Sequence, residues 1–238
     1  GANCEANNAD YKKFDLIAAC SDGCRDSFIR ALPELSKKCR TVPNFHRYSE
    51  IRTLAQKSPY IYDPESLHIV MVGRLAHEKG IDRALHAVDH ARKQGIPAIL
   101  HLVGDGPTGA ALRSLACELG LEDAVKFHGQ QNNPYRFMTY ADLLLITSWH
   151  EAAPMVIDEA YALSLPVLTV ETTSSEEMVA KRGCGWVCKN EQSAIDAALT
   201  SVLKNTEDLR EMKERCLHSA HDNKNARSAF AELLREEL

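Results

Sequence analysis

The sequence predicts an α/β protein: a Rossmann-like, doubly wound parallel sheet covered by helices on both faces. Two observations carry this. Short β-type runs alternate with helical patterns along most of the chain, the signature of parallel strands joined by crossover helices. The clearest helical stretch keeps Ile81, Leu85 and Val88 on one face, a period of about 3.6, while Arg83, His86, His90 and Arg92 read as available to solvent.

Taken in order, Phe14 to Cys20 and Cys39 to Pro43 read as strands flanking a helix that starts near Asp22. A polar stretch with Pro59 and Pro64 follows and sets a boundary near residue 64. Beyond it come His68 to Val72, Ala98 to Val103, Ala124 to His128, Asp142 to Ile146, Pro166 to Val170 and Gly185 to Cys188, six strands that make a complete sheet. From Glu191 onward the pattern is helical throughout. The expected organisation is therefore a first segment over 1–64, a main sheet unit over 65–190, and C-terminal helices over 191–238 packed on that unit.

Composition bounds the functions available. With 238 residues, 45% apolar and 26% charged, the chain reads as one full globular domain plus a piece of another. A formal charge of -5 argues against general affinity for nucleic acid, which rests on clustered Lys and Arg. The longest apolar runs, such as Leu143-Leu144-Leu145-Ile146, fall far short of the ~20 residues that cross a bilayer. No signal peptide is visible, but Gly1-Ala2-Asn3 reads as the start of a piece cut from a longer chain, so that absence says little. Eight cysteines stand at 4, 20, 24, 39, 117, 184, 188 and 216, with two C-x3-C pairs and no matched His spacing; they read as reduced, buried thiols of a cytoplasmic protein, not as a zinc site.

Ligands of such a sheet belong at the carboxyl ends of its strands, and three loops fall there. After Val72, Gly73-Arg74-Leu75-Ala76-His77-Glu78-Lys79-Gly80 brings two cations to a helix start, as a diphosphate requires, although a solvated turn would look the same. After Val103, Gly104-Asp105-Gly106-Pro107 lacks the phosphate-loop pattern and reads as a plain strand-to-helix turn. After Ile146, Thr147 to Ala160 contains Pro154, suited to the first turn of a helix, with Glu151 before that helix and Glu159 within it. The two carboxylates can bracket a ligand lying across the helix N-terminus, or Glu151 can cap the helix with Glu159 on the surface.

Taken together, these residues resemble the family 4 glycosyltransferases of the GT-B fold. The resemblance rests on the E-x7-E pair Glu151 and Glu159, the G-R-L-x-x-E-K-G loop at 73 to 80 and the V-G-x-G-P turn at 103 to 107. It continues through Val125 to Gly129, Asn133-Pro134-Tyr135, Ala141-Asp142-Leu143 and Leu165-Pro166-Val167. It covers residues 66 to 190 closely. Asp15 to Ser21, Phe28, Pro33-Glu34-Leu35, Lys38 and Val42-Pro43-Asn44 are similar to the end of such an enzyme's N-terminal domain and its crossover.

The resemblance implies a retaining glycosyltransferase that moves a sugar from a nucleoside diphosphate sugar, foremost a UDP-sugar, to a glycan or lipid-linked acceptor in bacterial surface polysaccharide synthesis. It implies Arg74, Lys79 and Glu151 as catalytic residues. Gly73, Gly129, Gln130, Gln131, Ala153, Pro154, Met155, Val156 and Glu159 are implied to bind donor, with Glu151 holding the sugar, Glu159 the ribose and 129–131 the base. No metal or other cofactor is implied, and the sequence contains no D-x-D triplet. The expected setting is cytoplasmic, with peripheral association at the inner face of the membrane, and the piece by itself is expected to bind donor but not to turn over. Two departures stand out: Ala152 and, more mildly, Ser164 occupy positions where relatives commonly have Gly. Glu177 reads as a helix-start residue and not a ligand. A degenerate donor-binding module, hinted at by Ala152, and a GT-B nucleotide-sugar epimerase are the alternatives.

Overall fold

The computed structural model describes residues 8–219 and 222–235, so Cys4 and the Gly1-Ala2-Asn3 start lie outside the described residues. The first segment contains α1 (Asn8–Tyr11), β1 (Ile17–Ala19), α2 (Asp22–Ala31), a 3-10 turn over Pro33–Lys38, β2 (Cys39–Thr41) and α3 (Tyr48–Ala55). Strands β1 and β2 pair in parallel as a sheet of their own. Both are shorter than the sequence runs, because only the three residues that face each other across that ladder have a partner.

Six strands form the main sheet: β3 (Leu67–Val72), β4 (Ala98–Val103), β5 (Val125–Gly129), β6 (Leu143–Ile146), β7 (Val167–Val170) and β8 (Gly185–Cys188). Every pairing is parallel and the order is β5-β4-β3-β6-β7-β8. Helices α4 (Ile81–Lys93), α5 (Gly109–Glu118), α6 (Tyr135–Met138) and α7 (Met155–Ala162) connect successive strands, and a π-helical turn at Glu176–Ala180 precedes β8. Three helices follow: α8 (Gln192–Lys204), α9 (Thr206–His218) and α10 (Lys224–Arg235).

The inner strands, β6 above all, lack polar alternation because both of their faces are buried. Ile69, Met71, Leu143 and Leu145 point into one core with Ala84, Leu85 and Val88 of α4 and Ile195 and Leu199 of α8. Val70, Leu144 and Ile146 point into the other with Phe137, Ile157 and Tyr161. One polar row interrupts the second face. His68, His101 and His128 stand on adjacent strands β3, β4 and β5, with His68 Nδ1 3.0 Å from His101 Nε2 and His101 Nδ1 3.0 Å from His128 Nε2. Tyr60, Tyr62 and Phe137 pack their rings against this row.

Two sequence expectations change. Arg83 is not available to solvent: it is 3% exposed, closed over by the loop after β6 and by the turn before α8. The cysteines are mixed in setting: Cys39, Cys184 and Cys216 are buried, Cys20, Cys24 and Cys188 half-buried, and Cys117 exposed.

The order of the sheet fixes where a ligand crevice lies. The chain winds from β3 outward through β4 to β5, then returns to the other side of β3 as β6. Crossovers on either side of that point leave the carboxyl ends of β3 and β6 uncovered. Val72 and Ile146 are those ends.

Candidate functional site

The loop after β3 runs through Arg74 into a 3-10 turn at His77–Lys79, and Gly80 (φ 57°) then turns the chain into α4. The loop after β6 runs from Thr147 to Pro154, which caps α7 with an extended backbone and so stands just outside the helix. Hydrogen bonds to backbone carbonyls stitch the two loops together. Trp149 N donates to Glu78 O at 2.9 Å and Thr147 Oγ1 donates to Gly80 O at 2.7 Å. A Cβ on Gly80 would stand 2.4 Å from Thr147 O, so this approach admits glycine alone.

The stitching brings two predicted side chains into contact. Lys79 Nζ donates to Glu151 Oε1 at 2.7 Å, and Ser148 Oγ donates to the same oxygen at 2.7 Å. Gly73, Arg74, Lys79, Ser148, Glu151 and Val156 line one cleft. A second cleft of about 460 Å³ is lined by Gly73, Arg74, Gly104, Gln130, Gln131 and Pro134. Both include Gly73 and Arg74, so Arg74 stands where they meet; it is exposed, and among the described residues its guanidinium has no partner. Gln131 is fixed by donation from Nε2 to His128 O at 2.6 Å.

The Gly104 turn packs against the loop after β3. Gly73 N donates to Val103 O and Leu75 N to Asp105 O, each at 3.0 Å, and a Cβ on Gly104 would stand 1.8 Å from Gly73 O. Its glycines let two strand-end loops lie against each other. Gly104 N donates in turn to Gly129 O at 2.8 Å, which places Gly129 behind the second cleft.

Other predicted residues stand apart. Glu159 does not share a cavity with Glu151: its carboxylate accepts from Tyr135 Oη at 3.2 Å and opens, with Met155, onto a cavity of about 240 Å³ walled by Phe45 and Arg47. Burial holds Glu159 above the usual carboxylate range in spite of that bond, and burial beside Glu159 pushes Tyr135 up to about 12. Glu151 and Glu159 thus line different cavities in this structure. Ala153 lines a third cavity with Tyr48, Asp158 and Arg182.

The Ala152–Ala153 stretch is gripped from the first segment. Ser21 Oγ (3.3 Å) and Cys24 Sγ (3.4 Å) donate to Ala152 O, and Asn44 Nδ2 donates to Ala153 O at 3.3 Å. His46 Nε2 stands 3.1 Å from Asp158 Oδ2, and Arg182 bonds the other oxygen. Burial alone would raise Asp158, yet His46 and Arg182 hold it below the usual carboxylate range. Glu177 lies in the π-helical turn and accepts from Asp22 N at 3.0 Å, capping α2. Ser21, Asn44 and Glu177 were visible in the sequence, but nothing in their spacing announces these long-range contacts.

The two departures from glycine exchange their weight. Among the described residues, the non-glycine residues with positive φ are Ser58 (49°) and Ser164 (59°), so Ala152 takes an ordinary conformation. The left-handed position is Ser164, just past α7, where Leu165 N donates to Ala160 O at 2.9 Å in a tight helix end.

Residues 56–217 match the family described as "Glycosyl transferases group 1". The lipopolysaccharide core biosynthesis glycosyltransferase LpsD of Rhizobium meliloti is 30% identical over 170 residues, 69% of this chain and 45% of that protein. An N-acetylgalactosaminyltransferase of Campylobacter jejuni that acts on a diphospho-undecaprenol-linked acceptor is 29% identical over 164 residues, 69% of this chain and 43% of its own length. The chain thus spans less than half the length of these curated relatives. Among solved structures, Anabaena HepE in complex with UDP-glucose superposes with a TM-score of 0.81 at 21% identity, over 99% of this chain and 68% of that one. WaaG, a glycosyltransferase involved in lipopolysaccharide biosynthesis, superposes at 0.75 and 22% identity, over 90% of this chain and 61% of that one.

Proposed function

Because the chain belongs to the group 1 glycosyl transferases and has the GT-B fold, we propose that it is the donor-binding half of a retaining glycosyltransferase using a UDP-sugar. The observation that carries this is the convergence of Arg74, Lys79 and Glu151 at the carboxyl ends of β3 and β6, where the strand order reverses. In this reading Arg74 and Lys79 face the diphosphate. As the bond to the sugar breaks, negative charge builds on the departing phosphate oxygen, and fixed cations stabilise that charge most where water is excluded. Glu151, held by Ser148, accepts from sugar hydroxyls. Gln130 and Gln131 lie in the cleft beyond Arg74, the side left for the base. No metal is needed, since the two cations supply the compensating charge.

The relatives named for lipopolysaccharide core, amylovoran and diphospho-undecaprenol chemistry support a glycan or lipid-linked acceptor in surface polysaccharide synthesis. The likeness to HepE, seen with UDP-glucose, supports the choice of a UDP-sugar. Among the described residues no helix is long and apolar enough to cross a membrane, and the proposed setting is the cytoplasmic face, reached peripherally. The degenerate module has lost its one hint, since Ala152 needs no glycine conformation.

The test is a thermal-shift series on the 238-residue chain with UDP, GDP, ADP, CMP and common sugar conjugates, each with and without EDTA. Ligand at about 100 times its Kd should stabilise by about 2.7 kcal/mol. A shift with UDP and one conjugate that survives EDTA is expected; shifts only with metal, or only with another base, would overturn the donor and metal assignments.

A further inference from the structure

Arg83 is an expensive residue. It is 3% exposed, and among the described residues it has no carboxylate in ion-pair reach and its Nε and Nη2 have no hydrogen-bond partner. Burial holds its pKa below the ordinary guanidinium value. It also stands in the first turn of α4, the end of a helix that disfavours a cation. An apolar side chain of similar size would avoid both penalties, so fold stability alone gives no reason for Arg here.

Its contacts supply one. Nη1 donates to Thr147 O at 3.0 Å and to Asn190 Oδ1 at 2.6 Å, and the guanidinium lies 4.1 Å from the centre of the Trp149 ring. Asn190, so oriented, turns Nδ2 toward Ser148 O, Trp149 O and Glu171 O at 3.5, 3.4 and 3.2 Å. Gln192 Nε2 donates to Arg83 O at 3.0 Å and ties the same point to α8. Apart from Glu171 O, every group that Arg83 and Asn190 hold is in the backbone or ring of residues 147–149, the stretch that leads to Glu151, and Ser148 bonds Glu151 directly.

We infer that Arg83 and Asn190 form a clamp that sets Glu151 against Lys79, making Arg83 a positioning residue for the sugar end of the donor site. This rests on the donor reading above. The guanidinium does not touch the donor: it acts through three carbonyls and an indole, with Asn190 as relay. The cation matters because a charge-assisted bond to Thr147 O and the stacking on Trp149 hold one loop position where a neutral side chain would allow several.

Arg83→Met, Arg83→Lys and Asn190→Ala in the 238-residue chain test this in two ways. Amide hydrogen exchange reads the clamp without any ligand: exchange at 147–151 should quicken at least tenfold in Arg83→Met, with the β4 and β5 amides unchanged. Equal exchange at 147–151 in wild type and Arg83→Met overturns the clamp. Titration with UDP and UDP-glucose reads its consequence. Arg83→Met should lose roughly tenfold for UDP-glucose and under threefold for UDP, with Arg83→Lys recovering part of the difference. Equal losses for both ligands would make Arg83 merely structural and overturn the inference. Wild type binding neither UDP nor UDP-glucose would sink the donor reading instead, and the exchange result would still decide the clamp.

Discussion

Lys79 Nζ and Glu151 Oε1 meet at 2.7 Å across the crevice between β3 and β6, with the lysine about a third exposed and the glutamate 11% exposed. On the proposed reading, a bound donor shares or replaces an ion pair on Lys79, whereas Arg74 has no partner among the described residues. The two cations should not behave alike when removed.

Arg74→Ala should leave urea-unfolding stability within about 0.5 kcal/mol, as for an exposed residue without partners, and weaken UDP binding roughly ten- to a hundredfold, the worth of a charge-assisted hydrogen bond. Lys79→Ala should weaken UDP binding and also lower stability by about 1–3 kcal/mol, because among the described residues Glu151 then keeps only Ser148. Calorimetry on both variants checks it; an Arg74→Ala chain that binds UDP as wild type does would refute the site.

Ser164→Gly and Ala152→Gly should move stability in opposite directions. Ser164 holds φ 59°, a conformation costing an L-residue roughly 1–2 kcal/mol that glycine does not bear, so a gain of about 1 kcal/mol is expected. Ala152 has no such strain, and glycine there only loosens the unfolded chain, a loss of about 0.4–1 kcal/mol. Urea midpoints with unchanged slopes would show the opposed signs.

Acid should destabilise the fold through His101. Burial, then the neighbouring His128 and His68, lower its pKa to about 3, and His128 is lowered as well, by burial and by Arg136. In the unfolded chain His101 takes a proton near pH 6.5, which the native state refuses until about 3. Stability is therefore full above about pH 6.5 and falls as pH drops toward 3, by up to ~5 kcal/mol over the whole window at ~1.4 kcal/mol per unit. Unfolding free energies measured from pH 7.5 to 4.5 should fall more steeply in wild type than in His101→Gln.

Gly104→Ala should be among the most damaging single methyl additions. Its Cβ would stand 1.8 Å from Gly73 O, backbone that cannot swing aside. Gly95→Ala, with nothing within 4 Å, is the control: its left-handed φ makes it strained but not overlapped. Gly104→Ala should lose UDP binding and several kcal/mol of stability, and Gly95→Ala about 1 kcal/mol with binding intact.

The sheet was legible because its strands are short, mostly apolar runs that alternate with helical patterns, and the crevice because loops such as 73–80 follow them. Arg83 was misread for a definite reason. It lies opposite Ile81 and Leu85 on the helical wheel, which suggests solvent, but the turn at Asn190 and the loop at Thr147 cover that side, and neither is near it in sequence. The separation of Glu151 from Glu159 was hidden likewise: Phe45 and Arg47, which wall the cavity of Glu159, come from the first segment. Two glycine positions could be seen to have changed, yet only backbone angles tell which of them, Ser164, needed glycine.

The bonds from Ser21, Cys24 and Asn44 to the carbonyls of Ala152 and Ala153 bear on how such chains can be recombined. A chimera joined at residue 64 would hand the stretch behind Glu151 to a foreign first segment, leaving three donors to be supplied by whatever sequence replaced them. A junction placed ahead of Ser21 carries the native grip along with the sheet, and marks the unit that can be transplanted whole.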